Sequence, residues 1–292
     1  MNDRAEGAAR GKPPGKLAGR AAFYLLVAAV LVYTVFPFFW AFLSSIKPNG
    51  ELFATPVRYW PDHPTLDHYR VVLQNDHFLI ALKNSAVVAV VVTALSIAIG
   101  LFAAYSLGRF RFRGRSLVLY VVLAMTMFPQ IAVLGALFQM VNYFNLYNQL
   151  TSLVLTYFIF TLPFTVWVLT GFLKAVPAEL EEAAYVDGAS PFQVFYQIMV
   201  PLAVPGMATT GLLAFIAAWN EFLFALSFTQ TPDKRTITYA IQAFSASTSG
   251  VYEIPWGPMM AASVLVTVPL VGLALVFQRQ ILAGLTAGAV KG

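Results

Sequence analysis

Residues 85–107 read SAVVAVVVTALSIAIGLFAAYSL, and no charged residue interrupts them. A helix needs about 20 mostly apolar residues to cross the hydrocarbon core of a bilayer. Because lipid offers no hydrogen-bond partner to an exposed backbone, a run of this length predicts a membrane-spanning α-helix. The run is too long and too uniformly apolar for a barrel strand, in which apolar and polar residues would alternate over about ten positions.

Five further apolar runs lie on either side of this one. They occupy residues 22–46, 117–141, 150–173, 204–228 and 259–278. Together the runs predict an all-α integral membrane protein with six transmembrane helices. The first run is far longer than the roughly 7–15-residue apolar segment of a signal peptide, so we expect it to remain in the mature chain.

The composition agrees with a chain that lies largely in lipid. Hydrophobic residues make up 59% of the 292 residues and charged residues 11%, whereas soluble domains carry about 25% charged residues. The net charge is +5, but no long basic run is interleaved with aromatic residues, which argues against nucleic acid as a partner. The chain has no cysteine, and His63, His68 and His77 show no spacing typical of metal ligands, so we expect no metal site.

The distribution of Lys and Arg predicts the orientation, because these residues accumulate on the cytoplasmic side of a membrane. If the six helices alternate in direction, twelve of the 18 Lys and Arg residues fall on the side that holds both termini. We therefore expect both termini to be cytoplasmic, together with a disordered basic tail at 1–20 and the basic loop at 109–115. The long connections 47–84 and 229–258 are then expected outside.

The most informative segment joins the fourth and fifth runs and reads AVPAELEEAAYVDGASPFQVFYQIMVP at residues 175–201. It predicts two short helices. Pro177 and the acidic residues after it suit the first turn of a helix, and Gly188 suits a helix end that needs a positive φ. Ser190 begins a capping box, and Pro201 is expected to end the second helix. We call residues 177–201 the elbow.

The charge of the elbow favours a protein partner over the lipid surface. A helix that lies on anionic headgroups usually carries Lys and Arg on its polar face, whereas the elbow carries Glu and Asp. Ala183 and Ala184 are expected to be exposed and to allow close approach. The carboxylates could then pair with Arg or Lys of the partner.

The elbow resembles the EAA loop of ABC-importer permeases, in which Glu-Ala-Ala is followed after three residues by Gly and after nine more by Ile-x-Leu-Pro. Here the EAA triplet at 182–184 precedes Gly188, and residues 198–201 read IMVP, with Val200 in place of Leu. In that family the loop is the coupling helix, which docks in a cleft of the ATPase subunit. The docking residues that the resemblance implies here are Glu181, Glu182, Ala183, Ala184, Asp187 and Gly188.

Other stretches resemble the permeases of carbohydrate ABC importers of the maltose-transporter type, and the six-helix pattern is similar to the smaller of their two permeases. These stretches lie at 36–47, 109–115, 127–129 and 218–222, whereas Ala136 stands where many relatives have a second proline. The resemblance implies the type I ABC importer permease fold in a bacterial or archaeal inner membrane. It also implies a sugar as the solute, and as partners a homologous second permease, two ATP-binding cassette subunits and an extracytoplasmic solute-binding protein.

Glu221 is the one acidic residue well inside a predicted span. An ionised side chain there is costly unless it faces protein or water. Two interpretations remain open. Glu221 and Asn220 either cap or brace a neighbouring helix near the interface, or they line the outer part of the solute path together with Trp219 and Gln130.

No motif gives this chain an energy source or a catalytic centre of its own. GKP at 11–13 lacks the Ser or Thr of a phosphate-binding loop, and no HExxH or GxSxG occurs. We therefore expect a transporter subunit rather than an enzyme, without a cofactor, and with ATP and Mg bound by the partner ATPase subunits. A permease for another small solute and an ion-coupled secondary transporter are the alternatives, although the latter would need intramembrane charges and inverted repeats.

Overall fold

The computed structural model describes residues 14–247 and 254–289 of the chain. Within these residues the fold is helical and contains no β-strand. The α-helices are α1 (Pro14–Ser45), α2 (Asn49–Leu52), α3 (Asp67–Leu73), α4 (Asp76–Arg109), α5 (Arg115–Thr126), α6 (Gln130–Tyr143), α7 (Leu150–Ala175), α8 (Glu179–Val186), α9 (Pro191–Gln193), α10 (Val200–Trp219), α11 (Leu223–Phe228), α12 (Ile237–Ser247) and α13 (Trp256–Ala289). The all-α class predicted from the sequence is confirmed.

Five helical stretches among the described residues are long and apolar enough to cross a membrane. They are Gly19–Ser45, Asp76–Arg109, Leu150–Ala175, Pro191–Trp219 and Trp256–Arg279. Helices α5 and α6 provide a sixth span if their two halves count as one, and they meet at an angle of 94°. The side of the membrane on which the termini lie stays a prediction.

Helix α4 lies at the centre of the bundle, in contact with α7 and α10. Small and hydroxyl-bearing residues let the backbones of α4 and α7 approach closely, as is common between membrane helices. The hydroxyls of Ser96 and Thr161 hydrogen-bond across the interface at 2.7 Å. A Cβ on Gly100 would lie 2.7 Å from Cγ2 of Thr165, so a larger residue there would force the Thr165 side chain to shift.

The third predicted span, 117–141, is wrong in one respect, because it is not one continuous helix. Helix α5 ends at Thr126, and α6 begins at Gln130 after an extended Pro129 with φ −68° and ψ 122°. The proline ring clashes with a helical carbonyl four residues earlier and offers no N–H to the helix. It also disfavours helical dihedral angles at the preceding Phe128, which explains why the break falls here.

The fifth predicted span, 204–228, also differs from the structure. Helical backbone runs without interruption from Pro191 to Trp219 and passes through Pro201, which was predicted to end a helix. Residues Val194–Met199 form a π-helical segment directly before this proline. The wider π turn relieves the clash between the ring and the preceding carbonyl, so the helix continues.

The two long connections that the sequence predicts outside the membrane contact each other at one end of the bundle. Both contain short helices, α2 and α3 in the first and α12 in the second, and α4 itself already begins at Asp76. Nδ2 of Asn84 donates to the carbonyls of Asp233 and Arg235, each at 2.9 Å. The Ser85 hydroxyl accepts from the Ile237 amide at 2.8 Å.

The predicted disordered tail, 1–20, overlaps the first helix. Helix α1 begins at Pro14, so residues 14–20 are helical. Residues 1–13 lie outside the described part of the chain.

Candidate functional site

The first helix of the elbow ends in the left-handed turn that the sequence predicts. Gly188 has a φ of +85°. The Gly188 amide donates to the Tyr185 carbonyl at 3.1 Å, and the Ala189 amide donates to the Ala184 carbonyl at 2.9 Å. A Cβ at this glycine would meet nothing within 4 Å, so the backbone angle and not lack of space requires glycine.

The predicted capping box joins the two helices of the elbow. The Ser190 hydroxyl accepts from the Gln193 amide at 3.3 Å, and Oε1 of Gln193 accepts from the Ser190 amide at 2.7 Å. Pro177 does not lie in the first turn of a helix, where the sequence predicts it. Helix α8 starts at Glu179 with Ala178 as its N-cap, so the proline precedes the first turn instead of standing in it.

The six predicted docking residues divide between two faces of the elbow. The exposed ones are Glu182, Ala183, Asp187 and Gly188. Glu181 and Ala184 are 9% and 8% exposed, and they lie three residues apart on the inner face of α8. The expectation that both alanines are exposed is therefore wrong for Ala184.

The inner face of α8 packs on a small apolar cluster at the ends of three long helices. Ala184 contacts a group to which α4 contributes Leu101 and Tyr105, α7 contributes Leu173, and the π-helical segment contributes Phe195. The elbow is thus fixed against the bundle on one side. Its other side carries the exposed acidic residues.

An ion pair that the sequence analysis did not identify joins the elbow to the basic loop. Arg109 pairs with Glu181, and both side chains are 12% exposed. Nη2 of Arg109 also donates to the Val176 carbonyl at 2.8 Å. No local spacing in the sequence points to this pair, because the two residues come from distant segments and each occurs among several like charges.

The elbow also presents an exposed aromatic pair. The rings of Phe192 and Tyr196 stack with centroids 6.4 Å apart, and both side chains are exposed. Val186, at the end of α8, is exposed as well. The outer surface of the elbow therefore combines carboxylates with apolar side chains, a mixture typical of protein interfaces.

A second candidate site lies where the fifth span breaks. Oε1 and Oε2 of Glu221 accept from the Phe224 and Ala225 amides at 2.7 and 3.2 Å, so this side chain caps α11. The Glu221 carbonyl accepts from the Thr238 hydroxyl at 2.6 Å. Glu221 thus acts as the cap that one of the two interpretations expects.

The same Glu221 also lines a cavity of about 310 Å³. The other polar side chains around this cavity are Gln130, Tyr157 and Thr161. Gln130 is the first residue of α6, directly after the 94° bend. The two broken spans therefore bring Gln130 and Glu221 to one cavity, and the two interpretations of Glu221 do not exclude each other.

Trp219 and Asn220, the other two residues predicted for a solute path, do not line this cavity. Trp219 is 2% exposed and stacks on Phe215 at 5.5 Å between centroids, and this burial argues against a place on a path. Asn220 is exposed, and its Nδ2 donates to the Ile216 carbonyl of its own helix at 3.0 Å. Among the described residues, no cluster of three His, Asp and Glu side chains could hold a metal ion.

Long apolar helices, two broken spans that share a cavity and an acidic elbow attached to the bundle define a membrane component of a solute transporter. The family model described as "Binding-protein-dependent transport system inner membrane component" matches residues 96–286. The chain belongs to this family. It is a multi-pass permease component of the inner membrane and not an enzyme, and this membership favours the importer interpretation over ion-coupled transport.

Two curated relatives and one solved structure show how far the similarity extends. The trehalose/maltose transport system permease protein MalG of Thermococcus litoralis is 41% identical over 92% of this chain and 96% of its own length. The trehalose transport system permease protein SugB of Mycobacterium tuberculosis is 37% identical over 94% and 99%. A chain of a bacterial ABC transporter involved in the import of the acidic polysaccharide alginate superposes with a TM-score of 0.78 at 19% identity, covering 93% of this chain and 99% of that one, and shows the fold alone.

Proposed function

We propose that this chain forms half of the membrane channel of an ATP-driven importer whose solute is a sugar or an oligosaccharide. The permease proteins that are 41% and 37% identical to it are named for trehalose/maltose and trehalose transport. Their similarity extends over more than nine tenths of this chain. A shared solute class is the simplest consequence of similarity over that length.

The proposed partners follow from the family and from the surfaces of the chain. A binding-protein-dependent system needs a solute-binding protein outside the membrane, and the connections 47–84 and 229–258 are the segments available to it. A homologous second permease would complete the channel. Two ATP-binding cassette subunits would bind ATP and Mg, which this chain is not expected to hold.

The elbow is the proposed docking site for an ATPase subunit, and one observation carries this proposal. Glu182 and Ala183 face outward on α8, while Glu181 and Ala184 on the opposite face are fixed to the bundle. A docking face can pass on a movement only if its far side is attached to the part that must move. The exposed Glu182 carboxylate is available to an Arg or Lys of the partner.

The cavity at the broken spans is the proposed contribution of this chain to the solute path. Gln130 and Glu221 supply hydrogen-bonding groups, and Phe160 and Phe164 supply apolar walls. A few polar groups in an otherwise apolar pocket suit a neutral ligand that carries both hydroxyls and C–H surfaces.

Reconstitution into proteoliposomes tests the proposed function. The chain, the second permease, the ATPase and the binding protein are incorporated together, and uptake of labelled sugars is measured with ATP inside the vesicles. We expect uptake to require both ATP and the binding protein, and to survive an ionophore that collapses ion gradients. Uptake by this chain alone, driven by an ion gradient, would contradict the proposal. A scan of sugars for stimulated ATP hydrolysis identifies the solute.

A further inference from the structure

Arg109, the last residue of α4, stands at a junction of three structural elements. It pairs with Glu181 in the first turn of α8. It also donates to the carbonyl of Val176, which follows the last residue of α7. A planar guanidinium can hold a carboxylate and a carbonyl in fixed directions at the same time, and a Lys ammonium lacks this fork geometry.

The contact of Ala184, the other buried residue of α8, does not define a direction in the same way. Ala184 meets α4 and α7 through apolar side chains, and hydrophobic contact is non-directional. Such a surface can slide when force is applied to it. The ion pair restricts the distance between Arg109 and Glu181, and the hydrogen bond to the Val176 carbonyl fixes the direction of the guanidinium. Arg109 therefore limits sliding between α8 and α4.

The remaining arginines of the basic loop do not compete for Glu181. Nε and Nη2 of Arg115 donate to the carbonyls of Leu107 and Gly108 at 2.7 and 2.9 Å. Arg111 and Arg113 are exposed. Adjacent acidic residues thus face opposite ways, with Glu181 turned toward Arg109 and Glu182 turned outward.

We propose that Arg109 is a positioning residue of the transport cycle, which links the coupling helix α8 to α4. A movement that the ATPase imposes on the elbow then reaches α4 and, through its packing, α7 and α10. Without this link α8 still docks, but the segment at 176–178 bends and absorbs the movement. The proposal rests on the proposed docking function of the elbow and adds the route by which the movement enters the bundle.

The test measures the number of solute molecules transported per ATP hydrolysed in the complete reconstituted transporter. Glu181→Gln keeps the shape of the side chain and removes its charge, and Arg109→Lys keeps the charge and removes the fork. We expect both variants to co-purify with the ATPase and to lose about fivefold or more in this ratio, within the range usual for coupling between sites. Arg111→Lys, on an exposed side chain of the same loop, is the matched control and should keep the wild-type ratio.

A covalent rescue separates transmission of movement from folding. The chain contains no cysteine, so the double variant Arg109→Cys/Glu181→Cys can be bridged selectively with a short bifunctional thiol reagent. We expect the unbridged double variant to be uncoupled and the bridged one to recover the wild-type ratio. The single variant Glu181→Cys, treated with the same reagent, should stay uncoupled.

Three results would overturn the proposal. They are a wild-type ratio in Glu181→Gln, a bridged double variant that stays uncoupled, and loss of ATPase binding in step with loss of transport. Loss of ATPase binding in step with transport would mean that the ion pair stabilises the fold of the elbow and does not transmit movement. Failure of the wild-type elbow to bind the ATPase is a separate result, because it contradicts the docking function itself and is read from co-purification alone.

Discussion

Replacement of Gly188 by valine strains the elbow through its backbone alone. The residue has a φ of +85°, and a Cβ there would meet no atom within 4 Å, so no steric clash with a neighbour contributes. An L-residue in the left-handed region costs about 1–2 kcal/mol, and β-branched residues are rare outliers there. The expected effect is therefore a conformational penalty of known origin.

The chain can respond to this penalty in two ways. It can keep the turn and accept the strain, or it can leave the left-handed region and lose two hydrogen bonds. These are the bonds from the Gly188 amide to Tyr185 and from the Ala189 amide to Ala184, each worth about 1 kcal/mol. The strain of about 1–2 kcal/mol offsets half or all of the about 2 kcal/mol by which these two bonds favour the docking-competent turn. Its population then falls to about 50–85%, and the apparent affinity for the ATPase falls by up to about twofold.

The assay is a titration of purified ATPase subunit against the permease in nanodiscs, followed by transport in proteoliposomes. Gly188→Asn should bind almost as the wild type does, because Asn tolerates the left-handed region. Gly114→Val is the matched control, since Gly114 has a φ of +88° and equally open space in the neighbouring basic loop. Wild-type affinity and transport in Gly188→Val, or equal damage from Gly114→Val, would refute the reasoning.

Three further substitutions test the packing and the caps by thermal unfolding and hydrogen exchange. Gly100→Ala should lower the free energy of unfolding by about 1–3 kcal/mol, because the added Cβ meets Cγ2 of Thr165. Adding Thr165→Ser, which removes this methyl group, should restore the stability. A double variant no more stable than Gly100→Ala would contradict this explanation. Glu221→Ala should cost about 1 kcal/mol through loss of the α11 cap, whereas equal stability of the Ala and Gln variants would argue against capping. Asn148→Ala should speed amide exchange at Gln230 and Thr231, because Oδ1 of Asn148 accepts hydrogen bonds from both amides. Unchanged exchange would show that these two hydrogen bonds do not protect the amides.

The sequence predicts those parts of the fold that depend on local physics. Six apolar runs identify the spans because the transfer of backbone and side chains into lipid depends on composition over about 20 residues. The turn at Gly188 and the capping box at Ser190 are also local, since each needs only a few neighbouring residues. For the same reason the elbow is recognisable before any tertiary contact is known.

Other features depend on contacts that composition does not reveal. The average hydropathy of a span does not reveal the helix breaks at 127–129 and 220–222. A proline can mark the end of a helix or a tolerated position inside it, and Pro201 is an example of the second case. Trp219 and Glu221 are two residues apart, yet one is buried in the core and the other lines a cavity. The pairing of Arg109 with Glu181 arises only when α4 and α8 are brought together.

The most direct test of the account is a thiol crosslink from the exposed outer face of α8. Because the chain has no cysteine, Ala183→Cys introduces a single reactive thiol there. Val57→Cys provides the control, since this side chain is 58% exposed in the connection 47–84, which the sequence predicts outside the membrane. We expect Ala183→Cys to crosslink to the ATPase subunit in membranes that contain the assembled transporter, and Val57→Cys to give no such product. Labelling of Ala183→Cys by a membrane-impermeant reagent added outside intact cells, with no crosslink to the ATPase, would contradict the account.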